Sequence, residues 1–440
     1  MVRKAALTYL GVAEEWPTLA PAERARRLRQ LPHDVGHEFF FDLSAAEQAD
    51  LLLALSAPER RHWIRLLAPD DVADLIQAAP EDQRAGLLAL LDEPTRAEVS
   101  ALLAYAEDEA GGLMNPRYIR VRPDMTVAEA LGYFRRQAQE RAGRDIPSYA
   151  YILDAQGGLR GQVGLTDLIA RDPTTSVGHV MDTDVITIPE EADQEAVARL
   201  FAEHSLAAAP VVDAGGRMKG VVTADDVVAV VEEEATEDIQ KLGGSEALDA
   251  PYLKTAFARM VRKRAGWLSA LFLGEMLTAT AMAFFEEEIA RAVVLALFVP
   301  LIISSGGNSG SQASTLVIRA MALGEVRLRD WWRVIRRELA AGLVLGTVLG
   351  TIGFLRITLW HAITGIYGEH YLLVALTVFI SLIGVVTFGT ITGSILPFIL
   401  RRLGFDPASA SAPFVATLVD VTGLVIYFTM ASLILRGTLL

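Results

Sequence analysis

Apolar residues in the C-terminal part of the chain form five long stretches that short polar segments separate. The hydrocarbon core of a bilayer requires about 20 apolar residues per helix. The five candidate stretches are residues 266–285, 292–318, 339–360, 371–400 and 412–435. This pattern predicts an all-α transmembrane domain with five spans over residues 265–440.

The charges between these stretches predict how the domain is oriented. Four basic residues precede the first stretch, six lie between the second and third, and two follow the fourth. The alternate loops, "EEEIAR" and "HAITGIYGEH", are poor in Lys and Arg. Because cytoplasmic loops carry an excess of Lys and Arg, we expect the N-terminus in the cytoplasm and the C-terminus outside. Glu14, Glu15 and Pro17 interrupt the opening segment, so no secretory signal is expected there.

Polar and small residues interrupt the middle of the second stretch. The segment "SSGGNSGSQ" contains Asn308 and Ser311, and its glycines, with the preceding Pro300, weaken a helix. Irregular backbone at membrane depth survives only where protein buries it or where it lines a water-filled cavity. We therefore expect a wet path here, and the alternative is a close contact between helices built on small residues. The fourth stretch repeats the theme around Thr390, where the two interpretations are balanced.

Carboxylates inside or beside the apolar stretches are the clearest candidates for function. Asp420 lies near the middle of the fifth stretch, where a charge costs about 2.5–3.5 kcal/mol on insertion scales. Glu275 lies about halfway along the first stretch, so both side chains should face protein or water. Asp406 lies at the cytoplasmic end of a span, where it either caps the turn before Pro407 or binds a metal ion.

Shorter amphipathic segments occupy residues 23–108. Apolar stripes alternate with breaks such as "APDD", "APED" and "DEP", which supply the proline and acidic residues that begin helices. The pattern predicts an all-α superhelical domain over residues 1–113, whose repeated units bury their apolar faces by stacking. Acidic residues in the breaks, such as Asp70 and Asp71, are usually helix starts, and they are also candidate cation ligands.

Residues 114–177 and 178–235 are two copies of one α/β unit. "YILDAQGGLRGQVGLTDLI" resembles "PVVDAGGRMKGVVTADDVV", and each copy predicts strand, helix, strand, turn, strand and helix. The pair resembles tandem CBS domains of the cystathionine-β-synthase type, which sense ligands. Many bind adenine nucleotides such as ATP through Gly-x-x-Thr/Ser-x-x-Asp, which the second copy keeps as Gly220, Thr223 and Asp226. The first copy has Gly164 in place of the hydroxyl residue, so at most one such site is intact. Two interpretations of the pair remain: it binds ATP at this one site, or it serves only as a packing module.

The charge balance differs between the two halves of the chain. The formal net charge is −14, yet residues 251–440 carry 16 Lys and Arg against 10 Asp and Glu. The first 250 residues therefore carry 24 Lys and Arg against 44 Asp and Glu, which disfavours nucleic acid as a partner and attracts cations. The sequence has no cysteine, which excludes disulfides and thiolate metal sites.

Acidic residues are densest just before the first span, in "VVEEEATEDIQKLGGSEALDA". We expect residues 236–264 to form a connecting helix that passes from this acidic run to the basic residues before the span. Hard divalent cations take oxygen ligands, and we expect no thiolate or histidine cluster to compete for them. A divalent-cation sensor is favoured over a merely solvated helix face. The candidate ligands are Asp71, Asp213, Asp226, Glu237, Asp238, Glu246, Asp249 and Asp406.

The sequence predicts a multidomain membrane protein with a helical N domain, a CBS pair, a connecting helix and five spans, in this order. This organisation resembles that of the MgtE family of magnesium channels. This family is related to the animal solute carrier 41 transporters. The motifs that carry the resemblance are "DEAGGLM", "GGNSGSQ", "LPFILRRLGFDPA" and "PFVATLVDVTG". The resemblance implies a homodimer in the lipid of a prokaryotic plasma membrane (the inner membrane), with Asp420 as the carboxylate that recognises Mg²⁺. Asn308, Ser311, Thr390 and Thr417 would then bond the water shell of the ion. Thr390 departs from the family, where an Asn is expected seven residues before the proline of "LPF".

The expected function is Mg²⁺ uptake through a selective channel that closes when intracellular Mg²⁺ binds the acidic cytoplasmic region. One alternative is a proton- or sodium-coupled transporter of Mg²⁺, Mn²⁺ or Co²⁺, which the intramembrane Glu275 supports. A second alternative is a receptor in which the CBS pair senses nucleotide and the spans only anchor it. An enzyme is disfavoured, because the sequence has no Walker A loop, no HExxH and no plausible nucleophile–base pair near the spans.

Overall fold

Two compact units make up the structure. The computed structural model of the chain describes residues 2–140, 147–248, 252–253 and 255–439, apart from the side chains of residues 2–8, 138 and 140. The first unit spans residues 1–232 and the second spans residues 233–440. Each unit contains its own large cluster of buried apolar residues.

Short helices build the N-terminal part of the first unit, as the alternating pattern predicts. Ser44 and Asp92 accept hydrogen bonds from backbone N–H groups at their helix starts, and Pro69 is the first residue of its helix. The helices are α1 (Val2–Glu15), α2 (Pro21–Gln30), α3 (His33–Phe41), α4 (Ala45–Ala54), α5 (Ala57–Ile64), α6 (Pro69–Ala78), α7 (Glu81–Leu88) and α8 (Glu93–Leu102), with a 3₁₀ helix at Trp16–Thr18. The all-α prediction for this domain is confirmed.

The duplicated segment folds as two similar three-stranded units. The first contains α9 (Ala110–Leu113), β1 (Ile119–Val121), α10 (Val127–Glu140), β2 (Tyr149–Leu153), β3 (Leu159–Gly164) and α11 (Leu165–Ala170). The second contains α12 (Val177–Val180), β4 (Ile188–Pro189), α13 (Gln194–His204), β5 (Ala208–Val212) and β6 (Met218–Thr223). In each unit the first strand pairs in parallel with the second, and the second pairs antiparallel with the third. The predicted α/β duplication is confirmed.

The N domain and the second repeat share one apolar core. Phe40 and Ile64 of the N domain belong to the same buried cluster as Val197 and Val211 of the second repeat. Gly220 lies against the segment before β1, where a Cβ at Gly220 would come within 2.8 Å of the backbone oxygen of Asn115. This glycine therefore permits a close approach between the two repeats.

The predicted connecting helix over residues 236–264 is wrong. Helix α14 (Ala224–Leu242) carries the acidic run and ends before Gly243, and Gly244 has a positive φ of 75°. A glycine in this conformation commonly ends a helix. The basic residues Arg262 and Lys263 belong instead to α15 (Phe257–Phe284), which continues into the first span.

Among the described residues of the second unit, five helical segments are long and apolar enough to cross a membrane, which confirms the predicted number. They are Phe257–Phe284, Val293–Ala322, Leu328–Thr364, Tyr371–Arg402 and Ala412–Ile434. After α15, the individual elements are α16 (Glu286–Arg291), α17 (Val293–Ala296), α18 (Val299–Ala322), a 3₁₀ helix (Leu328–Asp330), α19 (Trp331–Thr364), α20 (Tyr371–Arg402), a 3₁₀ helix (Pro407–Ser409) and α21 (Ala412–Ile434).

The expected irregular backbone in the second span is also wrong, because α18 runs without a break through the glycine-rich segment. A Cβ at Gly306 would lie 2.5 Å from Val385 Cγ1, and a Cβ at Gly310 would lie 2.8 Å from the backbone oxygen of Gly389. These glycines let α18 pack closely on α20, which is the small-residue contact that the alternative interpretation described. Tertiary packing thus outweighs the low helix propensity of glycine, which costs about 1 kcal/mol per residue.

The centre of the second unit consists of α18, α20 and α21. Val378, Val385 and Val419 are fully buried there, together with Phe428. By contrast, Leu271 is the single buried residue of α15 among the described residues of the chain. One helix therefore presents most of its apolar surface outward from the rest of the unit.

Candidate ion-binding sites

A cleft between α15 and α21 contains two intramembrane carboxylates. Asp420 and Thr417 lie one helical turn apart on α21, and Glu275 of α15 lines the same cleft, whose volume is about 920 Å³. Asp420 is half-buried and Glu275 is exposed. The remaining wall is largely apolar and includes Leu271 and Phe272. Carboxylates at membrane depth between apolar walls favour an interaction with a cation.

Close packing holds the part of α21 that carries Asp420. A Cβ at Gly307 of α18 would lie 3.4 Å from Cβ of Ala416, which is one turn before Asp420. Further along, the Tyr427 hydroxyl donates a hydrogen bond to the backbone oxygen of Leu295 at 3.0 Å. These contacts attach α21 to the second span, so the backbone that carries the carboxylate is supported on its buried side.

Polar residues of α18 follow one another along an accessible face. Ser304 and Asn308 are exposed and one turn apart, and Asn308 Nδ2 donates to Ser304 Oγ at 3.4 Å. Ser311 continues this face and donates to the backbone oxygen of Ala412 at 3.2 Å. Gly307, which approaches the cleft residue Ala416, is the neighbour of Asn308 in sequence. The predicted polar residues of the second span therefore lie on the helix that borders α21.

Thr390 has a different location from the other predicted pore residues. It is buried, and its hydroxyl donates to the backbone oxygen of Thr387 at 2.9 Å. A Cβ at Gly342 of α19 would lie 2.5 Å from Thr390 Oγ1. The side chain thus packs at the contact between α19 and α20, and it does not line the cleft that contains Asp420.

Three carboxylates and one ammonium group meet at the end of α14, in a set that we call the Lys241 cluster: Glu237, Asp238, Lys241 and Asp406. Lys241 Nζ donates to Asp406 Oδ2 at 2.7 Å and forms an ion pair with Glu237. Asp406 Oδ1 also accepts the N–H of Ala408 at 2.8 Å, so the predicted capping role is present. Oxygen ligands of this kind suit a hard divalent cation, although Lys241 already supplies one positive charge.

The charges within the Lys241 cluster shift each other's ionisation. Burial, followed by repulsion from Asp406 and Glu234, raises the pKa of Asp238 to about 6. Burial alone would lower the pKa of Lys241, but its hydrogen bonds to Asp406 and Glu237 raise it overall. The cluster therefore still contains a carboxyl group whose ionisation an additional cation would favour.

A second acidic set, the Asp70–Asp226 pocket, lies within the first unit and consists of Asp70, Asp71, Asp225 and Asp226 around a cavity of about 220 Å³. Burial, then repulsion from Asp71 and Asp226, raises the pKa of Asp70 well above its ordinary value. Burial also raises the pKa of Asp226 to about 6, against hydrogen bonds from Thr223 that lower it. Among the described residues, none donates a hydrogen bond to Asp70 Oδ1. The donor set is carboxylate oxygen, which Mg²⁺ prefers.

The predicted nucleotide motif borders the same pocket. Thr223 donates from its hydroxyl to Asp226 Oδ2 at 2.6 Å and from its backbone N–H to the same oxygen at 3.0 Å. Arg117 and Tyr118 also line this pocket, together with Tyr149 and Tyr151. The pocket thus combines carboxylates, a guanidinium group and aromatic rings, whereas Gly220 serves the packing between the repeats described above.

Two other predicted ligands, Asp213 and Glu246, do not join these clusters. Asp213 stabilises the β5–β6 turn, where its Oδ1 accepts the N–H groups of Gly215 and Arg217 and its Oδ2 pairs with Arg217. This arrangement departs from the predicted metal role, because the residues of the β5–β6 turn already form hydrogen bonds with the Asp213 carboxylate. Glu246 is exposed in the segment after α14. Asp249 lies outside the described residues.

One contact in these clusters was missed from the sequence. Lys241 lies one helical turn after Glu237, a spacing that indicates an ion pair, but its contact with Asp406 joins residues far apart in the chain. The sequence also offers Asp70 beside Asp71, and Asp225 beside Asp226, as acidic residues that could face cations. Asp70 is buried and lines one pocket with the exposed Asp225, which depends on how the N domain packs on the second repeat and is not contained in the local pattern.

Comparisons with known proteins agree with this architecture. A family model described as a divalent cation transporter, MgtE, matches residues 299–430. A model of the MgtE intracellular N domain matches residues 8–108, and CBS domain models match residues 110–173 and 177–233. Together these matches follow the order of the helical domain, the paired repeats and the spans.

Similar proteins extend over nearly the whole chain. The magnesium transporter MgtE of Thermus thermophilus is 42% identical over 425 residues, which cover 96% of this chain and 92% of that protein. The magnesium transporter MgtE of Bacillus subtilis is 30% identical over 411 residues, which cover 93% and 88% respectively. A crystal structure of the cytosolic domain of the Mg²⁺ channel MgtE in complex with ATP is 42% identical. It covers 50% of this chain and 90% of that chain, with a TM-score of 0.46.

Proposed function

The chain belongs to the MgtE family of divalent cation transporters, and from this membership we propose that it is a Mg²⁺-selective channel. It would mediate magnesium uptake across the plasma membrane of a prokaryote, with the N-terminus in the cytoplasm and the C-terminus outside. The alternation of basic and non-basic loops supports this orientation. The family carries out transport and not catalysis.

The observation that carries the proposal is the position of Asp420, half-buried on α21 in a cleft with largely apolar walls. Mg²⁺ is small and gives up its water ligands reluctantly. A carboxylate attracts the hydrated ion through its water shell without holding it too tightly for release. Thr417 in the same cleft, and Asn308 on the bordering helix, offer hydrogen-bonding groups to those waters.

The proposed channel functions as a homodimer. Helix α15 leaves most of its apolar residues outside the packed centre of the unit, which supports contact with lipid and with a second copy. Homo-oligomers most often have twofold symmetry. A pore at such an axis would bring the Asp420 carboxylates of two chains to one ion path.

Intracellular Mg²⁺ closes the channel in this proposal. The Lys241 cluster and the Asp70–Asp226 pocket each contain carboxyl groups whose pKa burial raises, so cation binding would relieve the unfavourable charge. A ligand shifts a conformational equilibrium only by its differential affinity for the two states. Closure therefore requires that the cation sites be better formed in the closed state, with Asp238 and Asp226 as the residues that contribute most to the difference.

ATP is the proposed nucleotide ligand of the Asp70–Asp226 pocket. Thr223 and Asp226 supply the motif of nucleotide-binding CBS domains, and Tyr118 offers an aromatic face. The neighbouring Asp70 and Asp71 repel phosphate, so the phosphates would extend toward Arg117 or bind together with Mg²⁺. The ATP complex of a related cytosolic domain supports this assignment by analogy.

Reconstituted Mg²⁺ flux tests the proposed function. Liposomes that contain the full chain and an internal Mg²⁺-sensitive dye would report influx for the wild type and for Asp420→Asn. Removal of the charge should slow influx by at least about tenfold, because a lost Coulomb interaction in this environment exceeds 1.4 kcal/mol. Asp330→Asn is the matched control, at the end of the 3₁₀ helix before α19. Wild-type flux in Asp420→Asn would contradict the assignment.

One observation favours a second candidate function, a proton-coupled transporter. Glu275 lines the same cleft as Asp420, and proton relays in membranes use such carboxylates. If transport is coupled, an imposed pH gradient should drive Mg²⁺ into the same liposomes against its own gradient, and Glu275→Gln should abolish that uptake. A channel would show neither effect.

A further inference from the structure

Three histidines come together on the surface of the N domain. His33 and His37 lie one turn apart on α3, and His62 lies in the last turn of α5. Each offers a ring nitrogen, and these three atoms all lie within 4.8 Å of one another. His33 and His62 are exposed, and His37 is half-buried. The sequence was expected to offer no histidine cluster that competes for the hard cations of the acidic run, and this cluster lies outside that run.

The helices that carry these histidines are held together beneath the cluster. Trp63 of α5 packs against Phe40 of α3, with ring centroids 4.9 Å apart, and Phe40 is fully buried. Trp63 also contacts the His37 ring edge-to-face at 5.1 Å. Glu59, one helical turn before Trp63 on α5, accepts two hydrogen bonds from Arg29 of α2 at 2.6 and 2.8 Å. The backbone positions are thus fixed, while the imidazoles of His33 and His62 are exposed.

The geometry points to a site for a divalent transition metal such as Zn²⁺, and we propose that His33, His37 and His62 bind one ion. In a tetrahedral Zn²⁺ site with bonds of about 2.0–2.1 Å, ligand nitrogens lie about 3.3 Å apart. Small rotations of His33 and His62 bring nitrogens that are within 4.8 Å to this separation. A fourth ligand position faces solvent, where a water molecule completes the tetrahedron.

The donor type separates this site from the acidic clusters. Imidazole suits Zn²⁺, Ni²⁺ and Cu²⁺, whereas Mg²⁺ prefers hard oxygen ligands in octahedral geometry. Millimolar Mg²⁺ therefore fills the carboxylate clusters without competing for the three histidines. The bound metal connects α3 to α5, so its effect is on the N domain and does not depend on the proposed channel activity.

Zn²⁺ titration of the tag-free full chain in detergent tests the proposal. Calorimetry is performed with millimolar Mg²⁺ present, and Co²⁺ replaces Zn²⁺ in a parallel optical titration whose visible absorption reports tetrahedral coordination. The wild type should bind one Zn²⁺ per chain, and His33→Gln/His62→Gln should bind it at least about tenfold more weakly. His37 is left intact because it packs against Trp63.

The matched control is His179→Gln/His204→Gln, which removes two exposed histidines outside the cluster and should bind Zn²⁺ like the wild type. Zn²⁺ should also raise the thermal unfolding midpoint of the wild type and of this control, but not that of the cluster variant. Equal midpoints of all three proteins without Zn²⁺ show that the substitutions leave the fold intact.

The proposal is overturned if the wild type binds no Zn²⁺ in the presence of Mg²⁺, or if the cluster variant binds it as tightly as the control. The single variant His62→Gln gives the same decision if the double variant fails to fold.

Discussion

Lys241 donates a hydrogen bond to Asp406 at 2.7 Å, so the end of α14 is attached by an ammonium group to the turn that precedes the helix of Asp420. The same lysine pairs with Glu237. One positive charge therefore lies between two carboxylates, and Asp238 beside them has a pKa of about 6. In the proposed mechanism the ammonium group of Lys241 neutralises part of the negative charge in the closed state. Mg²⁺ neutralises the negative charge that remains on the carboxylates.

Asp406→Asn should weaken closure of the channel. The amide can still accept the N–H of Ala408, but it loses the ion pair with Lys241. Half-exposed pairs of this kind contribute up to about 1 kcal/mol, so the open-to-closed ratio at low Mg²⁺ should rise by up to about fivefold. Single-channel open probability measures this ratio. Asp330→Asn is the control, because Asp330 also accepts a backbone N–H and contacts Arg333 outside the Lys241 cluster. Identical open probabilities for the wild type and Asp406→Asn would argue against the role of the pair.

The raised pKa of Asp226 predicts a dependence of stability on pH. Between the ordinary value of 3.8 and the folded value of about 6, the folded state binds more protons than the unfolded state. The contribution of Asp226 to stability is therefore complete below 3.8 and is lost as the pH rises through about 6. Mg²⁺ should reverse this loss, because it stabilises the ionised carboxylate.

Thermal unfolding of the EDTA-treated full chain in detergent measures this effect. The unfolding midpoint of Asp226→Asn should exceed that of the wild type at pH above about 6, and the difference should shrink as the pH falls. Millimolar Mg²⁺ should raise the wild-type midpoint more than the variant midpoint. A difference between the two proteins that stays constant across this pH range would contradict the raised pKa.

Gly389→Ala should destabilise the membrane domain, because a Cβ at Gly389 would overlap the backbone oxygen of Gly306. Overpacking of this kind costs about 1–3 kcal/mol, which corresponds to a decrease of several degrees in the unfolding midpoint in detergent. Gly384→Ala on the same helix is the control, since its Cβ would lie 3.2 Å from a methyl group of Ile426. Equal midpoints for the two variants would show that α18 and α20 do not approach as closely as described.

Thr417→Val and Thr390→Val compare two similar hydroxyls at different locations. Thr417 lines the cleft of Asp420 and Thr390 packs against Gly342, and each hydroxyl donates to a carbonyl of its own helix. The loss of a polar group beside the hydrated ion should reduce Mg²⁺ conductance severalfold in Thr417→Val, whereas Thr390→Val should conduct like the wild type. Single-channel conductance distinguishes the two positions. An equal or larger reduction in Thr390→Val would contradict the account, because the ion path would then lie at the contact between α19 and α20 and not at the cleft of Asp420.

Features that depend on local sequence could be predicted. The lengths of the five apolar stretches determine the spans, and prolines and capping residues at Ser44, Pro69 and Asp92 mark helix starts. The internal duplication predicted the paired repeats and the succession of strands and helices along each of them. The family resemblance, rather than periodicity, singled out Asp420 among the carboxylates.

Features that depend on contacts between distant segments were predicted less well. The regular course of α18 follows from its packing on α20, although the spacing of Gly306 and Gly310 was an available signal for such a contact. The location of Thr390 depends on the approach of Gly342, and the pairing of Lys241 depends on Asp406. These partners are 48 and 165 residues away in the chain, so no local pattern contains them.

The most direct test of the central claim is a current recorded from excised inside-out patches, with Mg²⁺ on the extracellular side. The cytoplasmic Mg²⁺ concentration is stepped from near zero to the millimolar range for the wild type and for Asp420→Ala. The account predicts a wild-type Mg²⁺ current that decreases as cytoplasmic Mg²⁺ rises, and no Mg²⁺ current in Asp420→Ala present at equal surface density. A Mg²⁺ current of wild-type size in Asp420→Ala would contradict it.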